Sequence, residues 1–256
     1  TPGMMVEHLK AAPGPVSAMV PVAAFGHMPD MDAWKAFRDA TGVAVVIDAA
    51  AAFDAARTAD IPLVVSLHAT KVLGIGEGGF LATRDTALAE RVRALTVFGF
   101  AGDRDARFPA TNAKLSEYAA AVGLAALDAW PADRLRWFMA AQSLRHALMS
   151  AHLPVTLQDG WGMDWTTSVC VVGLPDGTAD NVEAALLSAG IGTRRWWGGG
   201  CHESPAFSDC PHGDLSQTER LARSTLGLPF AIDLTAAQVA RIVAALADAL
   251  ADPAGS

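Results

Sequence analysis

The sequence has 256 residues, of which 52% are hydrophobic and 18% charged, with a formal net charge of −8 at pH 7. A chain of this length forms one large α/β domain or a large domain with a smaller one. The apolar content excludes intrinsic disorder, which goes with few hydrophobic residues. The negative charge argues against a general nucleic-acid binder, because such a protein needs a basic face.

The cysteine content and the apolar runs indicate in which cellular compartment we expect the protein. The three cysteines, Cys170, Cys201 and Cys210, are too few for a disulfide framework, so we expect a reducing cytoplasm. No run reaches the ~18 consecutive apolar residues of a membrane span, and the first residues lack the pattern of a signal peptide. We therefore expect a soluble cytoplasmic protein with no membrane partner.

Short apolar runs alternate with helix-period segments in the first half of the chain, which is typical of βαβ units. The pattern predicts strands at 19–24, 43–48, 63–66 and 80–83, and helices at 31–41, 85–95 and 116–128. Because several of these runs are apolar throughout rather than alternating, they favour a mostly parallel sheet covered by helices on both faces.

The second half of the chain has a different pattern. We expect Pro131 to start a helix over 132–151, since proline is tolerated in a first helical turn. A strand at 168–172, a helix at 178–189 and a closing helix at 234–250 follow. We place a domain boundary near residue 130, which divides the chain into a large domain, 1–130, and a smaller one, 131–256.

A glycine-rich segment fits a known fingerprint but stands in the wrong context. Gly74, Gly76 and Gly79 match the G-x-G-x-x-G pattern of dinucleotide-binding loops. That motif must open a helix whose N-terminus meets the pyrophosphate, but the residues that follow have the pattern of a strand. The sequence therefore disfavours a nicotinamide or flavin site.

A cluster of cysteines and histidines near the C-terminus offers possible zinc ligands. Cys201, His202, Cys210 and His212 lie within twelve positions, and their side chains suit a tetrahedral zinc site. Their spacing matches none of the usual short zinc motifs. We favour a chance cluster in a polar loop and expect no metal.

An acid and a lysine form a stronger constellation. Asp48 ends an apolar strand, so it should lie at the carboxyl edge of the sheet, where open α/β sheets bind ligands. Lys71 follows another apolar strand, and partial desolvation there would lower the pKa of its amine and make it a better nucleophile. Enzymes that use pyridoxal 5′-phosphate (PLP) require such an acid and such a lysine. The alternative interpretation is that Asp48 and Lys71 are ordinary solvated residues.

Several ordered motifs resemble the DegT/DnrJ/EryC1/StrS family of sugar aminotransferases, which have the type I fold of PLP-dependent transferases. The matching segments are 46–55 (Val-Ile-Asp-Ala-Ala-Ala-Ala-Phe-Asp-Ala), 66–71 (Ser-Leu-His-Ala-Thr-Lys), 76–79 (Gly-Glu-Gly-Gly), 111–117 (Thr-Asn-Ala-Lys-Leu-Ser-Glu), 192–197, 202–207 and 226–229. They follow the family's order, and the resemblance covers nearly the whole chain.

The resemblance implies an α/β fold with a mostly parallel central sheet, helices on both faces, a smaller α+β C-terminal domain, and PLP as the cofactor. Lys71 would bind PLP covalently and move the proton during transamination. Asp48 would keep the pyridine nitrogen protonated, and Ser66 would bind the cofactor phosphate. Asn112 and Lys114 would reach the phosphate region of a neighbouring subunit, which implies a homodimer.

The resemblance also implies a substrate class. The reaction would move an amino group, from glutamate, onto a keto sugar linked to a nucleotide. Arg194 and Arg195 could face the diphosphate of that substrate or be merely solvated, and His202 falls on a family histidine. A sugar dehydratase with the same cofactor would lack the lysine, so Lys71 favours transamination.

Three departures from the family pattern leave an alternative open. Ala51 replaces a usual glutamine, and Lys114 replaces an arginine, which keeps the charge but loses bidentate geometry. Residues 1–47 lack the family's N-terminal helix terminus for the phosphate and its ring-stacking aromatic residue, so we expect a longer natural chain. The alternative is a degenerate, non-catalytic homologue that acts as a binding or interaction protein.

Overall fold

The computed structural model describes residues 1–12, 14–57, 60–196 and 198–251. The contacts between Cα atoms divide the chain into two compact units, Thr1–Arg134 and Leu135–Ser256. The domains expected from the sequence, 1–130 and 131–256, remain a prediction. No helix in the described part of the chain is long and apolar enough to cross a membrane.

The first unit combines short strands with flanking helices. Its strands are β1 (Ala18–Met19), β2 (Ala44–Val45), β3 (Ile47–Asp48), β4 (Leu63–Ser66) and β5 (Gly79–Ala82). Its helices are α1 (Pro2–Ala11), α2 (Met31–Thr41), α3 (Thr86–Thr96) and the first part of α4 (Glu117–Ser150). A single 3₁₀ turn covers Ala24–Gly26.

The strand pairing places two carboxyl ends at one edge of the sheet. β1 pairs with β2 and β3 pairs with β4, both in parallel, whereas β5 joins β4 in the antiparallel sense. In the register, Asp48 lies opposite Val64. Since β3 and β4 run in the same direction, the segments that follow them, from Ala49 and from Leu67, leave the sheet at the same edge.

Two capping residues and a buried apolar face explain why α2 forms where it does. The Asp30 side chain accepts a hydrogen bond from the Ala33 amide at 2.9 Å, which caps the helix N-terminus. Gly42 ends the helix in the left-handed conformation, φ 71°, which glycine adopts without steric cost. Between these two ends, Trp34 and Phe37 pack in a buried core cluster. The cluster also contains Ile47, Leu63 and Val65 from the strands.

A second cluster fixes the segment after β4. Leu67, Leu73 and Ile75 are buried and pack against one face of α4, including Val122 and Trp130. Three apolar side chains in a nine-residue stretch therefore tie this segment to a long helix. Burial of side chains of this size stabilises by roughly 1.5 to 3 kcal/mol each, so the segment is held firmly.

The second unit is a small antiparallel sheet with helices. Its strands are β6 (Thr156–Leu157), β7 (Cys170–Gly173) and β8 (Thr225–Leu228), in the order β6-β7-β8. Its helices are the rest of α4, α5 (Ala179–Ser188), α6 (Ser216–Ser224) and α7 (Ala236–Ala251), with a 3₁₀ turn at Cys201–Glu203. The apolar faces of α5 and α7 pack against each other.

Two predicted strands differ from those in the structure. The strand expected at 19–24 ends at Met19, because Pro21 lacks the amide that would extend the pairing and a 3₁₀ turn begins at Ala24. The strand expected at 43–48 is divided into β2 and β3. Backbone bonds from Val46 N to Met19 O and from Asp48 N to Pro21 O, at 3.0 and 2.9 Å, continue the pairing across the division.

The prediction of a helix that starts at Pro131 is wrong, because α4 runs continuously from Glu117 to Ser150 with Pro131 inside it. The proline ring removes the hydrogen bond to the carbonyl of Leu127, four residues earlier. Leu127 is 47% exposed and Pro131 is also exposed, so water can reach that side of the helix. The helix tolerates the proline because the lost bond faces solvent.

Thiol reactivity tests the placement of the cysteines. Burial raises the pKa of the Cys170 thiol far above its ordinary range, whereas Cys201 and Cys210 are free and exposed. The thiolate is the reactive form. We expect an alkylating reagent to modify Cys201 and Cys210 in the folded protein and Cys170 only after denaturation, as read by peptide mapping. Rapid labelling of Cys170 in the folded protein would contradict the fold.

Candidate functional site

Asp48 is held at the carboxyl end of β3 by the backbone on both sides. Its carbonyl accepts from Ala23 N at 2.8 Å, and the next amide, that of Ala49, donates to Val64 O at 2.8 Å. The half-buried side chain accepts a hydrogen bond on Oδ1 from Ala50 N at 3.0 Å. Its Oδ2 has no hydrogen-bond partner among the described residues, so one carboxylate oxygen can receive a donor.

Ser66 lies at the carboxyl end of β4, beside the strand that carries Asp48. Its Oγ accepts from the amide of His68 at 3.2 Å, and the residue is half-buried. Ser66 pairs across β4 and β5 with Gly79. A Cβ at Gly79 would lie 2.8 Å from the carbonyl oxygen of Val65, so the close approach of the two strands requires glycine there.

The segment between β4 and β5 is an ordered turn. The Leu67 amide donates to Gly78 O at 2.9 Å, and the Ala69 amide donates to Gly76 O at 2.7 Å. Ile75 N closes the turn from the other side by donating to Leu67 O at 2.9 Å. We call residues 66–79 the lysine turn, because these bonds and the buried cluster above fix the backbone that carries Lys71.

The amine of Lys71 is available for chemistry. Its backbone amide donates to His68 O at 2.9 Å, and its side chain is half-buried. Its ammonium forms no hydrogen bond or ion pair within the described ranges. His68 is engaged elsewhere, because its Nδ1 lies 2.9 Å from Thr70 Oγ1 and its Nε2 lies 3.5 Å from Glu77 Oε1. These contacts indicate that His68 supports the turn.

Asn112 and Lys114 form a separate, exposed pair. The ammonium of Lys114 donates to Asn112 Oδ1 at 2.5 Å and lies 5.3 Å from the centre of the Phe98 ring. An antiparallel bridge between Val97 and Asn112 holds the backbone of this segment beside the end of α3. No hydrogen bond joins this pair to Asp48, Ser66 or Lys71 in the part of the chain that the structure describes.

The two predicted arginines of the second unit have different surroundings. The guanidinium of Arg195 lies 2.6 Å from Asp180 Oδ1 and 3.7 Å from Glu183 Oε2, and it donates to Ala222 O at 2.5 Å. Arg194 is exposed, and its backbone pairs with Gly227 at 3.0 and 2.8 Å. Since Arg195 is already ion-paired, Arg194 has the side chain that an anion can reach more easily.

Arg195 also lines a cavity of about 460 Å³ whose charge is unfavourable for a diphosphate. Its charged lining residues are Asp180, Glu183, Glu203, Glu219, Arg195 and Arg223. Acids therefore outnumber arginines four to two around this space. An anionic ligand would have to overcome that excess of negative charge, because like charges repel at close range.

His202 and the cysteine cluster do not form a metal centre in the described residues. His202 Nε2 lies 3.8 Å from Glu219 Oε1, and its ring centre lies 5.8 Å from that of His212. No group of three or more His, Cys, Asp or Glu side chains comes close enough to hold a metal ion anywhere in the described chain. His202 remains a predicted substrate contact.

The structure adds contacts that the sequence reasoning missed. Asp54 is only 5% exposed, and its carboxylate forms an ion pair with Arg134 on α4. The neighbouring Phe53 ring contacts Trp130 edge-to-face, with ring centres 4.9 Å apart. One signal was present in the sequence, since Asp54 is a lone acid among the alanines after Asp48, and a buried acid needs a partner.

The fold is the type I fold of PLP-dependent transferases, which solved aminotransferases share. It places a carboxylate at a strand end, a hydroxyl on the next parallel strand and a lysine in the following turn. The chain belongs to the DegT/DnrJ/EryC1/StrS aminotransferase family, whose model matches residues 4–247. The family resemblance stated from the sequence motifs is thereby confirmed.

One curated relative and one solved structure show which proteins the chain is similar to. A transaminase of Streptomyces venezuelae, dTDP-3-amino-3,4,6-trideoxy-α-D-glucose transaminase, is 32% identical over 241 residues, covering 90% of this chain and 62% of the relative. The structure of DesI in the presence of its TDP-sugar product has a TM-score of 0.81 and 33% identity, covering 94% of this chain and 64% of that one.

A third comparison concerns cofactor chemistry. The structure of S. venezuelae DesV in complex with a ketimine intermediate has a TM-score of 0.80 and 28% identity, covering 97% of this chain and 68% of that one. Aminotransferases of this family and fold depend on PLP. The groups described above fit that cofactor. Among the residues that the structure describes, a carboxylate oxygen without a partner can accept from the pyridinium N–H, a lysine amine without a partner can meet the aldehyde, and a serine hydroxyl can bind the phosphate.

A glycine in the lysine turn tests how tightly its backbone is packed. A Cβ at Gly74 would lie 2.5 Å from the carbonyl oxygen of Ala69, which must then shift. We expect Gly74→Ala to destabilise the protein by about 1 to 3 kcal/mol, as overpacking does, measured by thermal unfolding. Gly192→Ala is the matched control, because nothing lies within 4 Å of its Cβ position. Equal unfolding temperatures for the two variants would show that the turn is loose.

Proposed function

We propose that the protein is a PLP-dependent aminotransferase that moves an amino group from glutamate onto a nucleotide-linked keto sugar, and that it acts as a cytoplasmic homodimer. One observation carries the proposal. The amine of Lys71 and one carboxylate oxygen of Asp48, neither of which has a partner among the described residues, belong to segments that leave the sheet at the same edge. The names of the transaminase relative and of the TDP-sugar structure support the substrate class.

Asp48 would hold the cofactor ring by its nitrogen. Bound PLP supplies an electron sink that stabilises the charge left when a proton leaves the carbon bearing the amine. The Asp48 carboxylate would accept a charge-assisted hydrogen bond from the ring N–H through Oδ2, while Oδ1 stays bound to the amide of Ala50. A nearby negative charge favours the protonated nitrogen, so Asp48 would maintain the state in which the ring accepts electrons.

Lys71 would serve first as the covalent anchor and then as the base. Its amine would hold PLP through the aldehyde carbon, with the aldehyde oxygen leaving as water, and an incoming substrate amine would take its place at that carbon and free the lysine. The free amine of Lys71 would then take the proton from the substrate carbon and return it to the cofactor carbon. The lysine turn holds the backbone of Lys71, so its side chain would move while the main chain stays in place.

The phosphate would be bound by Ser66 from within the subunit and by Asn112 and Lys114 from its neighbour. The exposure of the Asn112 and Lys114 pair supports this division, because polar groups that face solvent are free to meet a second chain. Arg194 would meet the diphosphate of the substrate in preference to Arg195, whose guanidinium is already ion-paired. His202 stays a predicted contact with the sugar.

Spectroscopy with a lysine variant tests the proposal. We expect the whole protein to gain an absorbance band near the visible edge when PLP is added, and borohydride reduction to fix the cofactor on the peptide that contains Lys71. Lys71→Ala should abolish both signals, because the covalent bond needs this amine. Lys35→Ala is the matched control, since Lys35 is an exposed lysine paired with Asp39 on α2.

Turnover is the second arm of this experiment. We expect the unmodified protein and Lys35→Ala to produce 2-oxoglutarate from glutamate and a dTDP-linked keto sugar. Lys71→Ala should produce no 2-oxoglutarate. A whole protein that shows no band with PLP would favour the non-catalytic binding homologue. A protein that shows the band but turns over no nucleotide-linked keto sugar would support PLP as the cofactor and contradict the proposed substrate class.

A further inference from the structure

The turn that follows β3 contains a buried carboxylate, ion-paired with a partly exposed arginine, that the proposed chemistry does not use. We call residues 49–56 the β3 turn. The guanidinium of Arg134 contacts both carboxylate oxygens of Asp54, through Nε to Oδ1 and through Nη2 to Oδ2, the second at 3.4 Å. The Asp54 side chain is almost completely buried, whereas that of Arg134 is 41% exposed. A charged group buried to this degree inside a turn is unusual.

An aromatic contact fixes the same turn beside the ion pair. The rings of Phe53 and Trp130 meet edge-to-face, with centres 4.9 Å apart and planes at 86°. Trp130 and Arg134 are four residues apart in α4, so they lie on the same face of the helix. Two consecutive turn residues, Phe53 and Asp54, are thus held by two residues one helical turn apart, and we call these four residues the α4 clamp.

Hydrogen bonds within the β3 turn order the short stretch of backbone between Asp48 and the α4 clamp. Asp48 Oδ1 is bound by the amide of Ala50, and Ala52 N donates to Ala49 O at 2.9 Å. Ala56 N donates to Ala52 O at 2.7 Å, on the far side of Phe53 and Asp54. The direction of the carboxylate therefore depends on where the β3 turn places the Ala50 amide.

Stability alone gives no good reason for a charged pair at this place. Replacing a buried ion pair by apolar side chains of similar volume is often neutral or stabilising, because desolvation offsets the attraction. What an arginine–carboxylate fork adds is a defined direction, since two bonds fix one planar group against another. The β3 turn is where a fixed direction matters, because it follows the ring-binding carboxylate.

We propose that Asp54 and Arg134 are positioning residues for Asp48: by fixing the β3 turn they aim the Oδ2 atom of Asp48 at the ring nitrogen of PLP. The inference rests on the proposed function, in which Asp48 binds that nitrogen. It predicts that loosening the ion pair weakens the contact between Asp48 and the ring nitrogen without removing the other contacts with the cofactor.

The test compares two cofactors in one variant. Asp54→Asn keeps the size of the side chain and removes its charge. We expect its dissociation constant for PLP to rise about tenfold, which corresponds to about 1.4 kcal/mol. For the PLP analogue with CH in place of the ring nitrogen, the whole protein and the variant should bind alike, because the contact that Asp54 supports is absent. A merely structural role would weaken both ligands equally.

The matched control is Asp39→Asn, which removes the acid of the exposed Lys35–Asp39 pair on α2. It should bind both ligands as the unmodified protein does. Hydrogen exchange without any cofactor supplies an independent readout. The amides of Ala50, Ala52 and Ala56 should exchange about tenfold faster in Asp54→Asn, and at unchanged rates in the control, since local opening follows loss of local contacts.

Arg134→Lys decides the matter if Asp54→Asn does not fold, because lysine keeps the charge and loses the fork. Its affinity for PLP should fall, its affinity for the analogue should not, and its β3 turn should exchange faster. Unchanged exchange and unchanged PLP affinity in a folded variant would overturn the inference. If the unmodified protein binds no PLP, the proposed function fails, whereas the exchange data still test whether the ion pair fixes the β3 turn.

Discussion

The parallel pairing of β3 with β4 is the constraint on which the site depends. It makes both strands end at one edge of the sheet, so that the β3 turn and the lysine turn leave the sheet there. The pairing is stabilised from the buried side, where Ile47, Leu63 and Val65 pack beneath α2. A slip of the register by one residue would turn these side chains to the other face and expose them. The same burial that stabilises the sheet therefore fixes the register of β3 and β4, and with it the position of Asp48 relative to Ser66.

One helix holds both turns from the outside. Leu67, Leu73 and Ile75 of the lysine turn pack against α4, and so does Phe53 of the β3 turn through Trp130. The two attachments differ in kind. Apolar packing holds the lysine turn without a preferred direction, whereas the bonds between Asp54 and Arg134 are directional. This difference matches the proposed roles, since the side chain of Lys71 must move during the reaction and the carboxylate of Asp48 must keep its orientation.

The sequence predicted the features that depend on local pattern. The apolar run before Asp48 placed the acid at a strand end. The helix expected at 31–41 is α2, which ends before Gly42, a residue in the left-handed conformation that suits glycine. The strand expected after Gly79 is present and explains why the glycine-rich segment does not open a helix. Each of these features is decided within about ten residues of chain, where propensity and periodicity carry most of the information.

Features that depend on distant partners were not predictable from pattern. Asp54 and Arg134 are 80 positions apart, so nothing near either residue identifies the other. The continuity of α4 through Pro131 depends on which side of the helix faces water. The ion pairs of Arg195 with Asp180 and Glu183 likewise join residues that the sequence separates. They distinguish two arginines that the sequence treated alike, and they make Arg194 the better candidate for an anion.

The exposure of Asn112 and Lys114 is consistent with a site that is divided between the subunits of the proposed homodimer. Asp48, Ser66 and Lys71 are half-buried, and backbone hydrogen bonds hold their segments. Among the described residues, the side chains of Asn112 and Lys114 contact each other and the Phe98 ring and are exposed to solvent. A lysine at this position binds phosphate as a point charge and does not require the planar geometry of arginine. Lysine in place of arginine at residue 114 is therefore compatible with phosphate binding from a partner subunit.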